Sequence, residues 1–229
     1  MPDDGTKSTD DVAGPAAPSA NSLDVGADEL EDTIQELDPA PEPDAVADPP
    51  PAVNELAVAC VRYVSARYGI RLDYMPETLS LLDQWVRDAR DELKERPELG
   101  ELVQSSAGAY LGEVVRRTFG ANWITEGANA GWRLCMSTVF CAFNPVGLVR
   151  EALLLGEAEG WHAHFELDPG EKELIVARLA ALPEVSEDEY YAPSTRFDVV
   201  NLVVDALRER MRGSGLADVR FSVEDYAGT

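Results

Sequence analysis

The two histidines of the 229-residue chain, His162 and His164, lie one residue apart in "WHAHFEL" and are followed by Glu166. Along an extended segment these three side chains fall on one face, with Trp161, Ala163, Phe165 and Leu167 on the other. Two imidazoles and a carboxylate on one face are a donor set for a divalent cation. A second set sits in "SSAGAYLGEVVRR", residues 105–117, which reads as helix. Ser105, Gly108, Gly112, Val115 and Phe119 step by three and four, so they share one narrow stripe. Each glycine costs a helix about 1 kcal/mol relative to alanine. Either another backbone presses against bare Cα atoms there, or the smooth stripe floors a ligand cleft. Glu113 stands three before Arg116 and four before Arg117, the favourable order for pairing along a helix surface. Solvated, such a pair contributes a few tenths of a kcal/mol. Turned inward it becomes a buried carboxylate that must be neutralised, and Arg133 is the expected partner.

Asn144–Pro145 reads as an N-cap followed by proline at the first helical position. The amide groups of that turn suit a carboxylate or phosphate. Trp123, Trp132 and Trp161 either rim this turn or pack in the core. The candidate cleft therefore comprises Gly108, Gly112, Glu113, Arg116, Trp123, Arg133 and Asn144, with no catalytic residue assigned. Gly156 and the His-x-His that follows resemble the start of a cupin metal motif. The resemblance ends there, because no glutamate follows at the required distance and no third histidine exists. His162, His164 and Glu166 are thus weak metal candidates, and no metal or cofactor is expected. The chain carries no nucleophile elbow, P-loop or Rossmann fingerprint. Cys60, Cys135 and Cys141 sit among apolar neighbours without ligand spacing, an odd count that fits a reducing compartment. Arg208, Arg210 and Arg212 form a small basic cluster that suits a helix C-terminus.

These residues need positioning elements. Apolar periodicity predicts helices from Asn54 to Tyr68, ended by Gly69, then from near Pro76 and from Pro97 to about Phe119. "NWIT", "WRLCMS" and "VFCAF" read as short strands. A helix from Asn144 ends at Gly156, "WHAHFEL" is a strand, and Asp168–Glu171 reads as a capping box opening another helix. The acidic turn "PEVSEDEYYAP" precedes a helix with Phe197, Val200, Val204, Leu207 and Met211 on one stripe. "VRFSV" alternates as a terminal strand. The fold class is α+β, a small and mainly antiparallel sheet packed against several helices.

The formal net charge is −24, and residues 1–51 carry fourteen Asp or Glu against the single Lys7. Residues 1–52 have the composition of a disordered acidic tail ahead of one globular domain, 53–229. Within the tail, Leu30, Ile34 and Leu37 share one side of a possible short helix at 28–38, suited to a partner's groove. Strong acidity opposes binding to nucleic acid and anionic membrane. No signal peptide and no membrane span are expected.

"RLDYMPETLSLLDQWV", "SSAGAYLGEVVRRTFGANW", "FNPVGLVREAL" and "YYAPSTRFDVVNLVVDAL" together resemble a bacterial domain family of unknown function from GC-rich genomes, across roughly residues 54–212. The resemblance implies that the glycine helix, the tryptophan strand and "FNP" form one recurring local structure, and it brings no catalytic residues. The expected function is a soluble cytoplasmic interaction module of inhibitor or immunity type, with a protein partner of basic character. The alternative is an enzyme or small-ligand binder using the cleft beside Glu113, Arg133 and Asn144.

Overall fold

The computed structural model describes residues 48–227. The acidic segment before them, with the expected helix at Leu30, Ile34 and Leu37, lies outside the described residues. Helix α1 spans Pro51–Tyr68, α2 Leu79–Glu95 and α3 Gly100–Phe119. Strands β1 Ala121–Ile124, β2 Arg133–Met136 and β3 Cys141–Phe143 follow, then α4 Pro145–Leu154, β4 Glu166–Leu167, α5 Lys172–Leu179, α6 Glu187–Tyr190 and α7 Pro193–Gly213. The expected α+β class is found. The four strands form one antiparallel sheet in sequence order, so each pairs with the next along the chain.

Proline punctuation sets the helix starts. Pro51, Pro145 and Pro193 occupy the first turns of α1, α4 and α7, where a missing N–H costs nothing. Short 3₁₀ turns at Pro76–Thr78 and Pro97–Leu99 lead into α2 and α3. Gly69 ends α1 with φ +70°, a left-handed conformation that a Cβ would oppose.

Helix α3 is the centre of the molecule. Its residues from Gln104 to Arg116 are all buried, and it packs against α1, α4, α7 and the first two strands. The sheet divides its side chains by strand alternation. Leu134, Met136, Cys141 and Phe143 join the main core with the helices, whereas Cys135 and Ala142 face a small cluster around Tyr226. The Tyr226 hydroxyl, buried beneath the sheet, donates to the Met136 or Val139 carbonyl and accepts the Cys141 amide at 3.1 Å. All three cysteines are buried free thiols. Burial alone raises the Cys60 thiol well above its ordinary range, and burial leads in pushing Cys135 up to about 12.

Several expectations are corrected. "WHAHFEL" is not a strand through its length; only Glu166–Leu167 pairs, with β3. The backbone before it is drawn onto α4, where the Asn144 amide donates to the His162 carbonyl at 2.8 Å. His162 is left-handed there, with φ +49°. Helix α4 stops at Leu155 (φ 50°) rather than at Gly156, its amide bonding back to Glu151. Asp168 makes no capping box; its Oδ1 accepts the Gly170 amide at 2.8 Å in a local turn, and α5 begins four residues later. "PEVSEDEYYAP" contains α6, capped by Ser186. "VRFSV" forms no strand: the Phe221 amide bonds the Ser137 carbonyl and a 3₁₀ turn follows at Val223–Tyr226. That turn carries Tyr226 under the sheet.

Candidate functional site

Gly108 and Gly112 are places of close approach. A Cβ at 108 would sit 2.5 Å from the Val146 Cα and 2.9 Å from its amide nitrogen. A Cβ at 112 would overlap the Trp123 indole and lie 3.0 Å from Pro145 Cγ. Bare backbone lets the first turn of α4 and the β1 tryptophan press against α3, and the dispersion attraction of that close packing offsets the glycine penalty.

Glu113 is 1% exposed. Its carboxylate accepts a two-point contact from Arg116, Nε to Oε1 and Nη2 to Oε2, each at 2.8 Å. Trp123 Nε1 donates to Oε1 at 2.9 Å, and Arg117 Nε lies 3.5 Å from Oε2. The surface pair expected from i,i+3 spacing is therefore buried for Arg116. It stays half-exposed for Arg117, whose guanidinium rests 3.8 Å above the Tyr74 ring. The inward partner is also not Arg133. Strand parity explains this: Leu134 points at the helices, so Arg133 points to the opposite face. There it pairs with Glu166 and donates to the Tyr226 carbonyl at 3.2 Å. Trp123, opposite Leu134 in the register, takes the place beside Glu113.

Asn144 is fully buried and caps α4 as expected. Its Oδ1 accepts the Val146 amide at 2.9 Å. Its amide nitrogen donates to the Asn129 and Ala130 carbonyls at 2.9 and 3.0 Å. The turn expected to offer free amide groups thus has its first donor satisfied internally. Asn129 extends the network to Ser105 at 2.6 Å. Gly108, Gly112, Glu113, Arg116, Trp123 and Asn144 form one packed knot, with Arg133 apart from it.

The open space lies one turn away. A groove of about 550 Å³ runs between α2, α3, α4 and the loops carrying Ala128–Ala130 and Trp161. Arg150 spans it, its guanidinium 4.8 Å above the Trp161 ring and its Nη1 donating to Gln104 Oε1 at 3.0 Å. Arg90 also lines the groove but is committed, Nε to the Ala152 carbonyl at 2.7 Å and Nη1 to Asp188. Leu93, Leu153 and Leu154 supply apolar wall. Arg150 and Gln104 are not among the residues the sequence singles out. The signal was present as spacing: Gln104 is one turn before Gly108, and Arg150 one turn after Val146.

His162 and His164 are exposed, and His162 Nδ1 lies 3.8 Å from Glu166 Oε1. Glu166 is engaged by Arg133. Among the described residues no group of three or more His, Cys, Asp or Glu side chains is arranged to hold a metal ion. Arg208 is not a loose surface cation: it donates to the Phe119 carbonyl at the end of α3 and to Thr138, whereas Arg210 pairs with Glu171.

Residues 29–134 match the model of DUF6278, a family of unknown function. The expected resemblance to an uncharacterised domain family is found in this match, though its span differs from the expected 54–212. The DUF6278 match begins inside the acidic segment and takes in Leu30, Ile34 and Leu37. It ends in β2, so Gln104, the glycine stripe, Glu113 and Trp123 lie within it, and Asn144, Arg150 and Trp161 beyond it. No curated protein and no solved structure matches the chain significantly. Among the described residues no helix is long and apolar enough to cross a membrane.

Proposed function

We propose that the protein is a soluble cytoplasmic binding module of inhibitor or immunity type, recognising a protein partner with a basic surface. The observation that carries this is how the described arginines are used. Arg67 is tied to Asp88 and Glu92, Arg87 and Arg90 to Asp188, Arg178 to Glu209, and Arg210 to Glu171. Many basic groups of the described surface are paired with neighbouring acids, and carboxylates, which outnumber basic groups by 24 over the whole sequence, set a negative field. Such a field steers a basic partner and repels acidic ones. Buried, unreactive thiols fit a reducing compartment. The Glu113 knot supports a scaffolding role, since both carboxylate oxygens already accept charged or indole donors.

The test is capture from the native cell on immobilised full chain and on a chain lacking residues 1–52, followed by a salt gradient. A basic partner retained at low salt and released near about 0.5 M supports the proposal, because screening shortens the reach of surface charge to a few ångströms. Partners of acidic character, or retention indifferent to salt, would overturn it. Equal recovery on both chains would remove the acidic tail from the mechanism.

A further inference from the structure

We propose that the groove between α2, α3 and α4 binds a small monocarboxylate with an apolar body, its carboxylate held by Arg150 and Gln104. This site is separate from the acidic exterior that recognises a protein partner.

Three observations converge. First, Arg150 is a cation without an acid. Among the described residues it makes no ion pair, and its one hydrogen bond goes to the neutral Gln104 oxygen. Its position over the Trp161 ring and its bond to Gln104 restrain the guanidinium and leave other N–H donors for an acceptor. Second, Gln104 is only 4% exposed and lines the groove. Its carbonyl oxygen is used by Arg150, while its amide NH₂ has no partner among the described residues. A nearly buried amide donor beside a guanidinium suits the two oxygens of one carboxylate. Third, the remaining wall is apolar, with Leu93, Leu153 and the half-exposed Leu154. A volume of about 550 Å³ falls within the range of small-molecule sites.

Charge selects a monoanion. Glu101 stands on the same groove without pairing Arg150, and the chain as a whole is strongly negative. A dianionic phosphate would meet more repulsion than a single carboxylate, and one guanidinium neutralises one charge. A guanidinium matches the two oxygens of a carboxylate in a two-point contact.

Octanoate is the probe, with 1-octanol and octylammonium as the neutral and cationic controls, measured on the full chain by calorimetry and tryptophan fluorescence. Octanoate should bind one to one, about tenfold more tightly than octanol, the ratio expected of one charge-assisted contact. Octylammonium should not bind. Trp161→Phe should abolish the fluorescence response. Arg150→Gln should bring octanoate down to octanol. Leu154→Asp, at an exposed position at the end of α4, should weaken octanoate about fivefold through an added like charge, lowering the melting temperature by no more than a few degrees. No saturable octanoate binding at millimolar concentration, equal binding of octanol, or an Arg150→Gln variant that keeps the preference would each overturn the proposal.

Discussion

Gly108→Ala tests the packing of α3 on α4 most directly. The new Cβ would lie 2.5 Å from the Val146 Cα and 2.9 Å from its nitrogen, both backbone atoms. Comfortable contact requires about 3.5–4 Å, so the first turn of α4 must withdraw by about 1 Å. That turn cannot give locally, because Asn144 holds Val146 on one side and the Asn129–Ala130 carbonyls on the other. Overpacking costs about 1–3 kcal/mol, and a clash with backbone atoms this close belongs at the upper end, about 2–3 kcal/mol, against a gain of about 1 kcal/mol in helix propensity. A net loss of about 1–2 kcal/mol should lower Tm by roughly 2–8 °C at this chain length. Gly112→Ala meets a side chain instead, the Trp123 indole, whose displacement would break its bond to Glu113. It should lose stability similarly and also change the near-ultraviolet circular dichroism of that indole. Thermal unfolding of the two variants is the assay. An unchanged or higher Tm for Gly108→Ala would show that propensity outweighs close approach, and the account of the stripe would fall.

Glu113→Gln should destabilise by about 3–5 kcal/mol in urea titrations, because buried Arg116 keeps its charge and loses the Glu113 carboxylate; Glu113→Leu with Arg116→Met should recover much of that loss. Tyr226→Phe should cost about 1–3 kcal/mol and raise hydrogen exchange at the Cys141 amide, which would lose its acceptor. The hydrogen bond from Arg90, then that from Arg87, holds the Asp188 carboxyl below its unfolded value of 3.8. Its contribution is therefore present above about pH 3.8 and lost as pH falls through the lower folded pKa. Asp188→Asn should be less stable than the parent at pH 6, and the gap should narrow as the pH falls below 3.8; a constant gap between the two chains would contradict this linkage.

The start of α4 was legible because proline and asparagine act locally: Asn144 caps it with no help from distant residues, whereas α1 starts at Pro51 rather than Asn54 and α7 at Pro193, a proline the sequence pattern leaves in the acidic turn. The first three strands were legible from alternation and aromatic content. The partner of Glu113 was not, since it depends on which face of β2 each residue takes, and that parity follows from register with β1. Trp123 rather than Arg133 reaches α3 for this reason alone. The "WHAHFEL" and "VRFSV" segments alternate like strands but lack neighbours: β3 is only three residues long, and of the second segment's apolar side chains only Phe221 packs under the sheet with Tyr226, while Val219 and Val223 stay exposed. The groove was illegible because it belongs to a crossing of helices forty-six positions apart in sequence, where Gln104 meets Arg150.

That crossing gives the glycine at 108 a reach beyond its own position. Where Val146 touches it, the two helices have a fulcrum; one turn along each, Gln104 and Arg150 span the mouth of the groove. A methyl inserted at the fulcrum would stretch the span first and the core second. The calibre of the opening is thus written not in its own lining but in a missing side chain about 5 Å down the axis, and any relative with a bulkier residue there should carry a differently sized mouth.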